Sequence, residues 1–254
     1  MLKKRVIPLL LLNQDRVWKS KQFCEFKDVG APQTAGKIYE NQHADELCLL
    51  NISKNDDAFR NLVKYTRVFS ENCCMPLSVG GGIVNFFQAK ELFDNGADKV
   101  VLNSINYHDI SILEKTASVY GSQAAVVSID AMFDIQKNDY RVYSSHGRVL
   151  EEISVKDHIS LCDHHGAGEF LIQSIDRDGM MDGLDINLGR IALTATTTPI
   201  VLLGGVGSYY HLETAFTALP LSGIACASIF HFTDSNPLRA SAYLANAGFS
   251  IKKV

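Results

Sequence analysis

PLSVGGGIVNFFQAKELFDNGADKVVLNS, residues 76–104, reads as one complete strand–helix–strand unit. The run 76–79 is apolar and ends in Gly80-Gly81-Gly82. A helical pattern fills 84–95, and a second apolar run covers 98–103. Neither run alternates polar with apolar residues, so both read as strands covered on two faces. Parallel strands need such a crossover, so the unit predicts a parallel sheet clothed in helices. The pattern repeats in both directions. Apolar runs at 5–12, 46–52, 124–130, 169–175, 199–203 and 222–227 complete a set of eight strands. Helical segments include 31–43, 57–73, 109–119, 153–165, 208–218 and 236–247, with Pro32 and Pro237 near the starts of the first and last. Eight alternating units in 254 residues predict a single (βα)8 barrel, α/β in class, spanning 1–254. A doubly wound open sheet is the competing fold, but no GxGxxG follows the first strand.

An internal repeat supports the barrel. Gly80-Gly81-Gly82 after the third strand corresponds to Gly204-Gly205 after the seventh, about half a chain later. Asn103-Ser104-Ile105 corresponds to Ala227-Ser228-Ile229, and Glu46 to Glu169, at nearly the same spacing. The chain thus reads as two half-barrels, and duplicated structure predicts duplicated sites.

Composition narrows the function classes. With 46% hydrophobic and 20% charged residues the chain is ordinary globular protein. A net charge of −4 gives no electrostatic case for nucleic acid. The six cysteines, Cys24, Cys48, Cys73, Cys74, Cys162 and Cys226, lack metal-ligand spacing and read as reduced, buried thiols of a cytoplasmic protein. MLKKRVIPLLLL imitates a signal peptide, but its apolar run is short, contains Pro8 and meets Asn13-Gln14-Asp15-Arg16. It reads as a buried strand, and no stretch is long enough for a membrane span.

Two places carry the chemistry of anion binding. At the first, Gly81 and Gly82 are followed one unit later by Asn103 and Ser104. At the second, Gly204 and Gly205 are followed by Ser228. Glycines at a strand's carboxyl end let backbone N–H groups approach an anion, and a following helix N-terminus adds roughly 0.3–1 kcal/mol. Asp178 and Gly179, in Ser174-Ile-Asp-Arg-Asp-Gly179, join this phosphate-binding set. Sites on opposite sides of a barrel mouth suit a small molecule phosphorylated at both ends. Between them, Asp130 ends the fifth strand after an apolar run, where a carboxyl group has a raised pKa and can exchange protons. Lys19, Asn51 and Asp176 are candidates to orient the substrate. Residues 131–149 read as a hairpin over the mouth, with Tyr143, Ser144 and Ser145 positioned to close on a ligand. His164-His165, on different helix faces, Cys73-Cys74 and His231 read as structural. No metal and no cofactor is expected.

KRVIPLL, DRVWKS, ADELCLLNIS, PLSVGGGI, GADKVVLNS, GSQAAVVSIDA, GAGEFLIQSIDRDG, LLGGVG and ASIFHF run in order from end to end. Together they resemble the cyclase subunit of imidazole glycerol phosphate synthase over essentially the whole chain. The resemblance implies a lyase of histidine biosynthesis that takes ammonia from a glutaminase partner. That ammonia splits a bisphosphorylated ribulosyl formimino nucleotide into imidazole glycerol phosphate and an aminoimidazole carboxamide ribotide. The family has two catalytic aspartates, ending the first and fifth strands. Asp130 matches the second, but Leu11 stands at the first, and Asn51 replaces a further aspartate after the second strand. Leucine cannot carry a proton, so reduced cyclase activity is expected. The family's ammonia gate, a charged ring at the amino-terminal face, is matched by Arg5, Glu46, Lys99 and Glu169. The glutaminase of the expected heterodimer would dock on that face. An intact entrance below an altered mouth also fits relatives that work beside sugar amidotransferases of bacterial surface polysaccharide (lipopolysaccharide) synthesis, as an ammonia-delivering subunit. A third reading is a phosphate-binding scaffold that activates its glutaminase without catalysis.

Overall fold

A computed structural model describes residues 3–251, so the ends of the 1–254 range lie outside the described residues. In chain order the elements are β1 (Arg5–Asn13), β2 (Arg16–Lys21), β3 (Glu25–Gly30), α1 (Pro32–Asn41), β4 (Leu47–Asn51), α2 (Ala58–Asn72), β5 (Leu77–Gly80), α3 (Phe86–Asp94), β6 (Lys99–Leu102), α4 (Ser111–Tyr120), β7 (Ala125–Asp134), β8 (Asp139–Ser144), β9 (Val149–Ser154), α5 (Val155–His164), β10 (Glu169–Ser174), α6 (Ile186–Ala195), β11 (Ile200–Leu203), α7 (Tyr209–Ala218), β12 (Gly223–Cys226), α8 (Ser228–Phe232) and α9 (Pro237–Asn246). The parallel strands β1, β4, β5, β6, β7, β10, β11 and β12 pair in that order, and β12 pairs back onto β1. The sheet is a closed (βα)8 barrel, as the alternation of runs predicts.

A period of two within each strand sorts side chains between lumen and helical coat. Along β1, Val6, Leu10 and Leu12 join the outer core, while Ile7 and Leu9 join a separate inner cluster against which Leu11 packs. Cys48, Val101, Val126, Leu171, Val201, Leu203, Ala225 and Ala227 complete that inner cluster, with Leu50 packed on it. Pro8 lies inside β1, where a missing N–H would normally break a ladder. It falls at a join: β1 pairs with β12 over Arg5–Pro8 and with β4 from Leu9 onward.

Two antiparallel excursions decorate the carboxyl ends of the strands. The hairpin expected over 131–149 exists: β7 runs on to Asp134 and pairs with β8, which pairs with β9. A second hairpin, β2–β3, follows β1 and was not foreseen. Most residues of β3 are exposed, so it carries no apolar periodicity to read. Helix α6 also falls outside the segments named from the sequence, although its N-cap Asp185 accepts the Leu188 N–H at 3.0 Å. The cysteine expectation needs one correction. Cys48, Cys162 and Cys226 are buried, but Cys24 and Cys74 are exposed, one in the β2–β3 turn and the other just past the end of α2. Among the described residues no helix is long and apolar enough to cross a membrane.

Candidate functional site

Strand register carries the site from one end of the lumen to the other. On β1 the inward residues run Arg5, Ile7, Leu9, Leu11; the inward set on β7 is Val126, Ser128, Asp130. β1 and β7 lie four strands apart in the eight-stranded barrel, so Leu11 and Asp130 face the mouth from opposite walls. A cavity of about 660 Å³ opens there, lined by both residues and by Asn51, Gly81, Gly82, Asn103, Ser104 and Asp178.

Asp130 is buried, and burial pushes its carboxyl up to about 7. The Asn103 amide opposes this by donating to Oδ2 at 2.9 Å, and the charge of Asp178 reinforces it. A carboxyl group poised near neutrality is suited to giving and taking protons. The same shift has a cost for the fold. The neutral form is favoured in the folded protein, so stability is greatest below the ordinary carboxyl range and falls as pH rises from about 4 to about 7. The full displacement corresponds to roughly 4 kcal/mol, and water in the open mouth absorbs part of it. Asp130→Asn is therefore expected to stabilise the chain by about 2 kcal/mol at pH 8 and by nothing at pH 4. Urea unfolding at both pH values measures this, and equal effects at the two would contradict it.

The glycines after β5 split into two kinds. A Cβ on Gly81 would lie 2.1 Å from the Asn51 carbonyl, so its absence is a packing requirement. Gly82, at φ +75°, has only the Asn51 amide 3.8 Å away, and its open side faces the cavity. Gly82 is therefore the glycine whose bareness leaves room for a ligand.

The second glycine set is built differently. Gly204, Gly205 and Ser228 do not line this cavity, and neither do Gly179, Lys19 or Asp176. A Cβ on Gly205 would sit 2.1 Å from the Gly183 carbonyl, and the Gly183 N–H donates to the Gly205 carbonyl at 2.8 Å. The loop after β10 thus lies directly on the loop after β11. Asp178 and Lys19 form a buried ion pair at 2.7 Å, and the Asp178 carboxylate also accepts from the Ser20 hydroxyl at 2.6 Å. Together they pin the β2–β3 hairpin to the loop after β10. The Asp176 carboxylate accepts the Phe133 N–H at 2.8 Å and fastens the other hairpin. Of Tyr143, Ser144 and Ser145, only Ser145 lines the cavity; the Ser144 hydroxyl is buried and donates to Glu151. Sequence reading missed the basic residues Lys54, His146 and Arg148, which also line the mouth. They sit in turns whose placement depends on hairpin geometry.

At the opposite end Arg5, Glu46, Lys99 and Glu169 close a ring. Arg5 pairs with Glu46 at 2.5 Å and with Glu169; Lys99 pairs with Glu46 at 2.9 Å and with Glu169 at 2.7 Å. Ser78 donates to Glu46 and Ser222 accepts from Arg5. Burial alone would raise the Glu169 carboxyl, but Arg5 and Lys99 outweigh it and hold it below its ordinary value. A cleft of about 520 Å³ outside the ring is lined by Lys3, Lys4, Arg5 and Lys99 together with the acids Asp45 and Glu169.

A family model described as histidine biosynthesis protein matches residues 5–236. The chain belongs to that family. It is similar to the protein named imidazole glycerol phosphate synthase subunit HisF from Bacillus pumilus (strain SAFR-032), at 34% identity over 99% of this chain and 100% of the relative. The protein of the same name from Bacillus subtilis (strain 168) is 32% identical over the same shares. The family match thus spans every strand of the barrel, from β1 to β12.

Proposed function

We propose that this barrel conducts ammonia from a glutaminase bound at its amino-terminal face to a phosphorylated substrate at its mouth, with little of the family's cyclase turnover of its own. One observation carries the reading: Leu11 extends the apolar lumen to the rim, at the position where the resemblance places a catalytic aspartate. A lining of Ile7, Leu9, Leu11, Leu50, Val101 and Leu171 favours neutral ammonia over ammonium, because an apolar wall leaves a charge unsolvated. The ring below it supports an entrance filter, since its four charges satisfy one another across the amino-terminal end of the lumen. The basic cleft outside the ring supports docking of a partner there. A cytoplasmic site of action fits the free cysteines.

The acceptor of the ammonia is then the substrate of a further amidotransferase, of the surface-sugar kind. Retained cyclase activity is the competing reading, favoured by Asp130 and Gly82 sharing one cavity. Complementation of a histidine auxotroph lacking its cyclase subunit separates the two. No growth, or growth far below that given by an authentic subunit, is expected. Growth equal to the authentic subunit would establish the cyclase reading instead.

A further inference from the structure

The lumen changes character on one wall just below the mouth. Above the charged ring its inner cluster includes Ile7, Val101, Val126, Leu171, Val201 and Ala225, all apolar. Two residues further along their strands, Val126 gives way to Ser128 on β7 and Leu171 to Gln173 on β10. Strand register brings these polar side chains together. Leu171 is paired with Ser128, and Gln173 with Asp130. Ser128 stands two residues before Asp130 and so points to the same side of β7. Ser128, Gln173 and Asp130 all line the cavity, and they are 5%, 7% and 8% exposed.

Polar side chains buried so deeply normally satisfy one another. These do not. The Asn103 amide donates to Asp130 Oδ2 at 2.9 Å, but its own oxygen is buried without a partner. Among the described residues, neither the Ser128 hydroxyl nor the Gln173 side-chain amide has a hydrogen-bonding partner. Unpaired groups of this kind are costly unless something occupies the space they face. The chemistry of that occupant follows from the set. The Ser128 hydroxyl, the Gln173 and Asn103 carbonyls and the Asp130 carboxylate are all oxygen acceptors. Leu9, Leu11 and Leu50 on the facing side of the cavity offer none. The charge within the set is that of Asp130, because the other carboxylate acting on it, Asp178, is paired with Lys19. Four acceptors and one negative charge suit a small cation rich in N–H donors. Ammonium has four N–H groups and no lone pair to place, whereas water has two donors and a phosphate group brings acceptors.

We propose that Ser128, Gln173 and Asp130 form a holding site for ammonia where the apolar lumen ends, and that the ammonia is kept there as ammonium against the Asp130 carboxylate. Ammonia is the stronger base of the pair. On leaving the lumen it takes the proton of the Asp130 carboxyl: an N–H bond forms as the O–H bond breaks. When the ammonia is passed on, the same proton returns to Asp130. Burial holds this carboxyl near 7, which keeps both of its forms within reach at neutral pH. The inference rests on the reading of the lumen as an ammonia conduit and gives that conduit a defined last station.

Carboxyl-carbon NMR of the full chain, with the Asp130 signal assigned through Asp130→Asn, tests it. The signal is followed through pH in ammonium, potassium and sodium chloride at equal ionic strength. Ammonium is expected to weaken proton binding at Asp130 about ten-fold relative to sodium, and potassium, which has no N–H, by no more than about two-fold. In Ser128→Ala and in Gln173→Leu, both close to isosteric, the ammonium effect should fall to about two-fold or less. No difference between ammonium and sodium in the unmodified chain would overturn the holding site. An equal effect of potassium would overturn the assignment to ammonia, as a site for any small cation. An ammonium effect undiminished in both variants would overturn the part given to Ser128 and Gln173. The salts enter through the open mouth, so each of these failures leaves conduction through the lumen standing. Failure of conduction would show separately, as glutamine-derived ammonia that never reaches the mouth.

Discussion

Glu169→Ala is expected to lower the stability of the barrel by about 3–5 kcal/mol, the largest loss foreseen for any single change in the ring. Glu169 accepts from both cations, so its removal leaves Arg5 and Lys99 facing Glu46 alone. The two acids are 4% and 7% exposed at the side chain and the cations 22% and 19%, so the charges left behind are partly cut off from water. An exposed pair would cost no more than about 1 kcal/mol, and that difference decides whether this is a built filter or a solvated surface cluster. The sign of the pH dependence follows from the depressed carboxyl. Its contribution is complete above the ordinary value of 4.5 and disappears as pH falls through the lower value of the folded state. Urea unfolding of the two proteins at pH 7 should show the full gap, with Tm lowered by roughly 10 °C. At pH 3 the gap should shrink. A loss below about 1 kcal/mol at pH 7 would mean that the ring is held by solvent.

The barrel was legible because a strand buried on both sides shows continuous apolar character. Which face of β1 points inward was not legible, because residues 6–12 are apolar throughout; only the folded barrel separates Ile7, Leu9 and Leu11 from Val6, Leu10 and Leu12. The charged ring was legible through the family resemblance, which Arg5, Glu46, Lys99 and Glu169 match; three of them open β1, β6 and β10 and Glu46 directly precedes β4, which brings them to one level. Asp130 was legible as the polar end of an apolar run, and its burial accounts for the raised pKa.

What was not legible depends on contacts between loops. Asp178 and Lys19, read in sequence as ligand-binding residues, also meet across 159 residues to pin a hairpin, a role that no linear pattern shows. The glycines after β11 read like those after β5, but a neighbouring loop lies on Gly205, while Gly82 is open. Repeats in sequence therefore specified two similar turns whose surroundings differ. Lys54, His146 and Arg148 carried no pattern at all, because the left-handed turn that gathers two of them is set by Ser104 and Phe23.

The central claim is that Leu11 converts a reacting mouth into an outlet, and Leu11→Asp addresses it most directly. The substituted carboxyl would enter the cavity across from Asp130, beside Leu50. A positioned acid or base contributes about 10²–10⁴-fold to rate. Leu11→Asn is the matching control, since it brings polarity without a titrating proton. The measurement is turnover of the family's ribulosyl formimino nucleotide with ammonium salts in place of glutamine, for the unmodified chain and both variants. The account predicts negligible turnover for the unmodified chain, a gain of at least about 10²-fold for Leu11→Asp and none for Leu11→Asn. Efficient turnover by the unmodified chain, undiminished or merely matched by Leu11→Asp, would contradict it.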